Sequence, residues 1–229
     1  MDAIKHIPTI PLFQGLTPEH HTHVASIVVE KVYRRNQVIF SEGDEGNGFY
    51  VVISGRVKVF KLSPDGKEQI LHILGAGEPF GEVPVFAGER FPAHAEALEE
   101  TRVIFFPRAS FADLIKKNPS LAMNMLAVLS RRLRRFSALI EDLSLKEVPG
   151  RLSAYLLYLS DKNNRETSLT LDISKAQLAS LLGTIPETIS RILARMSAEE
   201  LIQSDGHRSI KILDRPGLEE LSSGERKLS

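Results

Sequence analysis

Along residues 31–107, short apolar runs rich in β-branched and aromatic residues alternate with polar turns that contain glycine. Runs of this kind predict β-strands, and Pro64-Asp65-Gly66 is a strong hairpin signal between two of them. Strands joined at this spacing predict a small antiparallel β-barrel or jelly roll. The predicted strands are Lys31–Tyr33, Gln37–Phe40, Gly48–Ser54, Arg56–Leu62, Lys67–Leu74, Ala93–Ala97 and Thr101–Pro107.

The strand pattern breaks between Gly77 and Ala93. An irregular segment begins there with Glu78-Pro79-Phe80-Gly81-Glu82-Val83-Pro84. Irregular backbone beside the mouth of a barrel is a favourable place for a ligand, and we expect one here. The alternative is a loop that only closes the barrel.

The longest predicted helix runs from about Ser120 to Leu145. Its apolar residues recur at spacings of three and four, which is the heptad pattern of a coiled coil. A second apolar stripe is expected to pack on the barrel, so the helix needs two partners. The seam therefore predicts a homodimer, and the alternative is one helix within a monomeric core. The seam consists of Leu126, Leu129, Leu133, Phe136, Ile140 and Leu143; the second stripe consists of Leu121, Met125, Val128 and Leu139; Arg131, Arg132, Arg134 and Arg135 are expected on the solvent sides of the seam.

Two further helices and a boundary are predicted around this core. Residues 17–30 form a helix with Thr17 as its N-cap and Pro18 at the first position. Val148-Pro149-Gly150 is expected to break the long helix, and a new helix begins at Arg151 and ends at Ser160. A polar loop follows at residues 161–166.

Residues 174–195 predict a helix-turn-helix. Two short apolar-periodic segments flank Gly183, and glycine permits the left-handed backbone that ends one helix and starts the next at a steep angle. The N-cap of the second helix is Thr184, or Ile185 with Pro186 at the first helical position. Such a second helix usually lies in the DNA major groove. The expected inward residues are Ala176, Leu178, Ala179, Leu182, Ile189, Ile192 and Leu193; the expected outward residues are Glu187, Thr188, Ser190 and Arg191.

The last part of the chain predicts a wing. Leu201–Ser204 and Ser209–Leu213 read as a hairpin around Asp205-Gly206, and the polar residues from Ser222 are expected to be loose. The fold class is therefore α+β. The predicted domains are an effector-binding barrel at residues 1–118, a dimerisation helix at 119–147 and a winged helix-turn-helix at 148–229.

Composition narrows the chemistry. The 229 residues include 29 basic and 29 acidic ones, so any phosphate-binding surface must be local, and Lys175, Arg191, Arg195 and Arg208 are its candidates. Cysteine is absent, which excludes disulfides, Cys-ligated zinc and iron–sulfur clusters. No apolar run reaches 18 residues and the start lacks the order of a signal peptide, so we expect a cytoplasmic protein without a membrane partner.

The order of barrel, long helix, proline break and winged helix resembles the cyclic-AMP receptor protein / fumarate-nitrate reduction family of bacterial transcription regulators. The resemblance covers about residues 10–213 and rests on Phe80-Gly81-Glu82, the seam around Leu133, Gly150-Arg151-Leu152, and residues 183–191 of the helix-turn-helix. It implies a homodimer that binds double-stranded DNA and responds to a small effector in the barrel. RNA polymerase is an implied partner if the protein is an activator, with residues 161–166 as a candidate contact loop.

The resemblance also implies roles in DNA binding. Glu187 matches a residue that accepts a hydrogen bond from cytosine, and Arg191 matches one that reaches guanine, which suits a guanidinium fork. Ser190 matches the serine of the fumarate-nitrate branch, whose half-sites are of the TTGA type, whereas Pro186 stands where the cyclic-AMP branch has arginine. The alternative for Glu187 and Arg191 is a salt bridge within the helix. The DNA-binding residues predicted in this way are Ser174, Lys175, Thr184, Pro186, Glu187, Thr188, Ser190, Arg191 and Arg208, with Ser174 and Lys175 matching phosphate contacts.

The effector site departs from the cyclic-AMP branch. The stretch that matches the phosphate-binding Arg-Ser pair is Phe91-Pro92-Ala93-His94, with Arg90 one residue early, and Phe136 stands where that branch has threonine. A buried phosphate without a guanidinium partner would be costly, so we expect an effector other than cyclic AMP. The predicted effector-binding residues are Phe80, Gly81, Glu82, Val83, Phe91, Ala93, His94, Leu133, Phe136 and Ser137.

The Phe-Pro-Ala run resembles a cysteine-free subgroup that responds to nitric oxide or respiratory stress, in some members through haem. Haem needs a protein ligand, commonly histidine, so His72 or His94 could serve, or each could be a hydrogen-bonded structural residue. The remaining alternatives are a small apolar or anionic metabolite, or no effector.

The alternatives to a transcription regulator are a sensor module and a metal enzyme. A cyclic-nucleotide-binding sensor module that acts on a protein partner lacks the phosphate arginine. A cupin-type metal enzyme needs several converging histidines and carboxylates, and this barrel offers only His72 and His94. We therefore expect no enzymatic activity.

Overall fold

The computed structural model describes residues 3–205 and 208–228. The chain divides into two compact units, residues 1–134 and 135–229. The predicted domain boundaries at 118/119 and 147/148 stay predictions.

The first unit contains eight strands among its described residues, arranged as two antiparallel four-stranded sheets in the orders β1-β8-β3-β6 and β2-β7-β4-β5. This is the predicted jelly roll, with open sheets facing each other instead of one closed barrel. The strands are β1 Val29–Tyr33, β2 Val38–Phe40, β3 Gly48–Ser54, β4 Val57–Leu62, β5 Glu68–Leu74, β6 Pro79–Phe80, β7 His94–Ala97 and β8 Thr101–Pro107.

Short helices complete this unit. The predicted cap at Thr17 is present: its hydroxyl accepts a hydrogen bond from the His20 N–H at 3.4 Å. The helix ends at Ile27 instead of residue 30, because strand β1 takes over the chain at Val29. The helices are α1 Ala3–His6, α2 Pro18–Ile27, α3 Val83–Phe86 and α4 Arg108–Lys117, with 3₁₀ turns at Ile7–Thr9 and Pro11–Phe13; α3 and α4 were not predicted.

Two apolar clusters hold the first unit together. One lies between the first sheet and the helices and includes Phe49, Phe106, Phe111 and the start of the long helix at Leu121. The other lies between the two sheets, and its buried members are Phe40, Tyr50, Val52, Val57, Leu74, Phe80, Phe91, Ala95 and Val103. The second cluster lies in the region where the sequence placed the effector.

The long helix, α5, spans Ser120–Leu145, as the periodicity predicts. Leu121 and Met125 of its second stripe are buried in the first unit. The seam positions at seven-residue spacing are instead exposed: Leu126 is 55% exposed, Leu133 67% and Ile140 65%. Apolar side chains at this spacing and exposure form a solvent-exposed stripe along the helix.

The second unit differs from the prediction at its start. The predicted break after the long helix is present at Lys146 and Glu147, whereas Val148-Pro149-Gly150 forms the first turn of α6, Val148–Lys162, because proline fits the first positions of a helix. The described elements that follow are β9 Ser168–Thr170, α7 Lys175–Leu181, α8 Pro186–Ala198, β10 Ile202–Ser204, β11 Ser209–Ile212 and α9 Arg215–Ser223. Strands β10 and β11 form the predicted wing hairpin, and β11 also pairs with β9. Gly206, in the predicted wing turn, lies outside the described residues.

The described residues at the end of the chain make ordered contacts, whereas the sequence predicted a loose tail. Residues from Ser222 belong partly to α9, and Arg226 forms an ion pair with Glu199 at 3.0 Å. In the part of the chain that the structure describes, no helix is both long and apolar enough to cross a membrane.

Candidate functional site

The helix-turn-helix is built by two local motifs. Ser174 and Gln177 form a capping box at the start of α7: the Ser174 hydroxyl accepts from the Gln177 N–H at 3.2 Å, and the Gln177 side-chain oxygen accepts from the Ser174 N–H at 2.8 Å. After α7, Gly183 has φ +65°, and the Thr184 N–H donates to the Ala179 carbonyl at 2.9 Å. This left-handed turn redirects the chain into α8.

Helix α8 begins with Ile185 as its N-cap and Pro186 at the first helical position. Thr184 therefore belongs to the turn before the helix and is not the N-cap. The helix buries Ile189, Ile192, Leu193 and Met196 on one side. On α7, Leu178 and Ala179 are buried but Ala176 is exposed, which corrects its predicted inward position.

The opposite side of α8 carries the predicted base-reading residues. Glu187, Ser190 and Arg191 are exposed, and Thr188 is half-buried. Glu187 and Arg191 lie four residues apart, yet neither forms an ion pair or hydrogen bond with a described residue. Both side chains are therefore available to a ligand, and the alternative of a helix salt bridge is not realised.

A cleft of about 570 Å³ lies beside the start of α7. Ser174, Lys175 and Arg208 line it together with Asp205. The fold thus brings three of the predicted DNA-binding residues from distant parts of the sequence to one concave surface. Arg195 is engaged elsewhere, since its guanidinium donates to the Leu228 carbonyl at 2.7 Å.

The predicted effector residues of the first unit meet in the cluster between the sheets. The rings of Phe40 and Phe91 stack with centroids 3.8 Å apart and an angle of 8°. Phe80 and Tyr50 pack beside them, with ring centroids 5.2 Å apart. Gly81 has φ +72°, and a Cβ there would lie 3.0 Å from Phe40 and 3.1 Å from Phe91. Only glycine lets the chain pass this close to the stacked rings.

Glu82, the acidic residue predicted for this pocket, forms an ion pair within the first unit. Glu82 is 8% exposed and forms an ion pair with Arg132 of α5, which also donates to the Pro79 carbonyl. The prediction that Arg132 borders the seam in solvent is wrong. The missed signal was its phase, because Arg132 lies four residues after Val128 and seven after Met125, on the stripe that faces the jelly roll.

The remaining predicted pocket residues divide into two groups. Ala93 is buried and Val83 half-buried in the first unit, where Leu133 is exposed on α5. Phe136 and Ser137 belong to the second unit, so their part in the pocket stays a prediction.

The two histidines lie on opposite faces of the second sheet. Ala95 and Ala97 are buried inward, so alternation directs His94 outward. There its ring stacks on Phe60 with centroids 5.1 Å apart, and its Nδ1 accepts from the Glu42 N–H at 3.2 Å. The structure therefore separates His94 from the pocket, which corrects its assignment as an effector-binding residue.

His72 faces the same side as Leu74, which belongs to the cluster between the sheets. Its Nε2 lies 3.6 Å from a carboxylate oxygen of Glu78. Of the two haem-ligand candidates, only His72 thus points into the jelly roll.

The pocket also holds a buried tyrosine that sequence reasoning missed. Burial raises the pKa of Tyr50 to about 12, and the neighbouring Tyr33 adds to the rise. Its hydroxyl is hydrogen-bonded to that of Tyr33.

Comparison with known proteins agrees with this architecture. Residues 30–118 match the family described as cyclic nucleotide-binding domain, and residues 150–221 match the Crp-like helix-turn-helix domain. The cyclic AMP receptor protein of Thermus thermophilus is 34% identical over 215 residues, which cover 93% of this chain and 97% of that protein. The CRP-like cAMP-activated global transcriptional regulator of Mycobacterium tuberculosis is 30% identical over 89% of this chain and 92% of its own length. The solved structure of FixK2 from Bradyrhizobium japonicum is 26% identical, has a TM-score of 0.75, and the match covers 85% of this chain and 97% of that one.

A jelly roll of this kind followed by a winged helix-turn-helix defines a DNA-binding transcription regulator. The chain belongs to the cyclic-AMP receptor protein / fumarate-nitrate reduction (CRP/FNR) family. Its relatives are transcription regulators and not enzymes.

Proposed function

We propose that the protein is an effector-responsive regulator that binds a palindromic DNA site as a homodimer in the cytoplasm. The observation that carries this proposal is that Glu187 and Arg191 are exposed on α8 and form no ion pair or hydrogen bond with a described residue, and the cleft lined by Lys175 and Arg208 supports it. Side chains of the helix can then read base edges while the cleft residues contact phosphate.

The seam of α5 supports the homodimer. Leu126, Leu133 and Ile140 follow each other at heptad spacing and are each more than half exposed. A second copy of the same helix covers such a stripe by the simplest symmetry. Two copies of α8 would then face half-sites about one helical turn apart.

The recognition residues favour a TTGA-type half-site. Glu187 suits the cytosine amino group and Arg191 suits guanine, while Pro186 offers no side-chain donor. Ser190 matches the fumarate-nitrate branch and is exposed beside Arg191.

The pocket favours an effector other than cyclic AMP. Two features of a cyclic-phosphate site are altered, since Phe91 is stacked on Phe40 where the matching arginine would lie, and Glu82 is neutralised by Arg132. An effector acts by binding the DNA-competent arrangement more tightly, so its contacts with this pocket set the response. The effector candidates are haem held by His72, with nitric-oxide chemistry, and a small metabolite.

RNA polymerase is the proposed partner if the protein activates transcription. Residues 161–166, which are the end of α6 and the turn after it, are exposed, and Asp161 is fixed to α9 by an ion pair with Arg215 at 2.7 Å. A loop anchored in this way offers a defined surface to a partner.

The first test is DNA binding by Arg191→Ala. We expect the variant to lose discrimination at one base pair, worth about 1–3 kcal/mol, while binding to unrelated DNA is kept. Fluorescence anisotropy over a set of duplexes with single base changes measures it, and Arg165→Ala, on an exposed loop, is the matched control. Unchanged specificity in Arg191→Ala contradicts the assignment of that residue.

The second test concerns the effector. Calorimetry with cyclic AMP should give no tight binding, and tight binding would overturn the pocket assignment. An absorption spectrum with added haem should show a Soret band that His72→Ala abolishes and His94→Ala retains. Absence of a band in the wild-type protein would leave the metabolite as the effector class.

A further inference from the structure

The chain after α9 folds back onto the recognition helix. Gly224 adopts φ +83° and ends α9, and the Arg226 N–H then donates to the Glu220 carbonyl at 3.2 Å. We call residues 224–228 the C-terminal segment. Its backbone is thereby fixed against α9 before it reaches α8.

Two arginines connect the C-terminal segment to the end of α8. Arg195, in the last turn of α8, donates to the Leu228 carbonyl at 2.7 Å. Arg226 forms an ion pair with Glu199, the C-cap residue of α8, at 3.0 Å. A second nitrogen of Arg226 lies 3.9 Å from Asp214, the N-cap residue of α9. One guanidinium thus joins the end of α8 to the start of α9.

The ion pair between Arg226 and Glu199 compensates an unfavourable negative charge at the C-terminal end of α8. Glu199 places a carboxylate at the negative end of the helix dipole, which is unfavourable unless a cation compensates it. Arg226 supplies that cation, and the pair is partly buried, with exposed fractions of 33% for Arg226 and 20% for Glu199. The contact is therefore less screened by solvent than an ordinary surface pair.

The position of Arg195 also assigns its role. It lies four residues after Arg191, so the sequence made it a candidate phosphate contact. The structure instead uses its guanidinium to hold the C-terminal segment. The N-terminal half of α8 carries the exposed residues Glu187 and Arg191, whereas its C-terminal half is held by the C-terminal segment.

We propose that the C-terminal segment is a brace for the recognition helix, and that Arg195 and Arg226 are positioning residues for DNA recognition. They fix the end of α8 and so the placement of Glu187 and Arg191, without contacting DNA themselves. This inference rests on the proposed function, since it assigns α8 to base reading. Specific binding depends on the placement of side chains within the groove, whereas non-specific binding depends on phosphate charge.

The test compares Arg195→Ala and Arg226→Ala with the wild-type full chain. The probes are the duplex that the wild-type protein enriches from a randomised pool and a scrambled duplex of the same length, each titrated at several salt concentrations. We expect both variants to lower the ratio of the two affinities by about tenfold, comparable to the loss of one charge-assisted hydrogen bond. The salt dependence on the scrambled duplex should not change. Partial unfolding would reduce both affinities together and leave their ratio unchanged.

Lys227→Ala is the matched control, because it removes one positive charge from the same segment. Lys227 is largely exposed and lies 3.9 Å from Glu147. We expect the control to keep the wild-type ratio and Arg226→Lys to restore part of it. Hydrogen exchange of the amides of residues 196–199 should be faster in Arg226→Ala than in Lys227→Ala.

Three results would overturn the inference. A fall of about 1 in the salt slope of Arg195→Ala on both duplexes would make Arg195 a phosphate contact. An unchanged affinity ratio in both arginine variants, with both affinities equal to those of the wild type, would show that the segment does not position α8. A wild-type protein without any preference among duplexes would instead refute the proposed function on which the brace depends.

Discussion

The ion pair between Glu82 and Arg132 gives the sharpest prediction about the pocket. The side chains of Arg132 and Glu82 are only 15% and 11% exposed. Arg132→Met keeps most of the side-chain volume but leaves the carboxylate buried without its cation. Breaking a buried pair in this way costs about 3–5 kcal/mol, and the residual exposure of both groups places the expected loss near the lower limit, about 3 kcal/mol.

The double variant separates the pair from its surroundings. Glu82→Gln combined with Arg132→Met removes both charges, and replacing both members of a buried pair is often neutral or stabilising. We expect the free energy of unfolding of the double variant to lie within about 1 kcal/mol of the wild type, so that it is about 2 kcal/mol more stable than Arg132→Met. Such a result would show that Glu82 and Arg132 neutralise each other inside the pocket.

The assay must follow the first unit alone, because a chain with two compact units need not unfold in one step. Peptide-resolved hydrogen exchange across β6 and α3, measured at increasing urea, gives the local free energy of unfolding. Arg131→Met is the matched control, since Arg131 is exposed on the same helix and should cost less than about 0.5 kcal/mol. The reasoning is refuted if Arg132→Met is no more destabilising than this control, or if the double variant is no more stable than Arg132→Met.

Three further predictions follow from packing and titration. Gly150→Ala should destabilise the second unit by about 1–3 kcal/mol in thermal unfolding, because the added Cβ would lie 2.8 Å from the Leu221 carbonyl oxygen; a gain in stability would contradict this packing. Ser153→Ala should raise stability by about 1 kcal/mol, because the buried Ser153 hydroxyl has no hydrogen-bond partner among the described residues, whereas Ser160→Ala should lower it by about as much because its hydroxyl donates to a carbonyl at 2.7 Å; equal effects would be the contrary result. The raised pKa of Tyr50 means that the unfolded chain loses its proton first, so stability is kept below pH 10 and falls between pH 10 and about 12; the fall, measured by urea unfolding, should be smaller in Tyr50→Phe.

Features that depend on residues close together in the sequence were predicted best. The bounds of α5 and the order of the strands were predicted because periodicity reflects which face of an element is buried. The turn at Gly183 was predicted because only a few neighbouring residues determine it. The break after α5 was predicted, but Val148-Pro149-Gly150 was assigned to the break instead of the first turn of α6, because the same proline signal can end one helix or begin the next.

The site was predicted in part for the same reason. Glu187 and Arg191 follow from their phase on one helix, and the structure places both in the open. His94 was misplaced because proximity along the chain to Phe91 does not decide which face of a strand a residue occupies. The partner of Glu82 lies 50 residues away, so nothing local to Glu82 points to it.

The sequence by itself determined the class of the fold, the long helix with its heptad seam, and the outward face of the recognition helix. Each depends on residues within a few turns of one another, where spacing fixes direction. Only the tertiary structure decided that Arg132 neutralises Glu82, that Phe40 and Phe91 close the space between the sheets, and that Arg195 and Arg226 hold the end of α8. These contacts join segments remote in the chain, and their geometry exists only once the sheets and helices have packed.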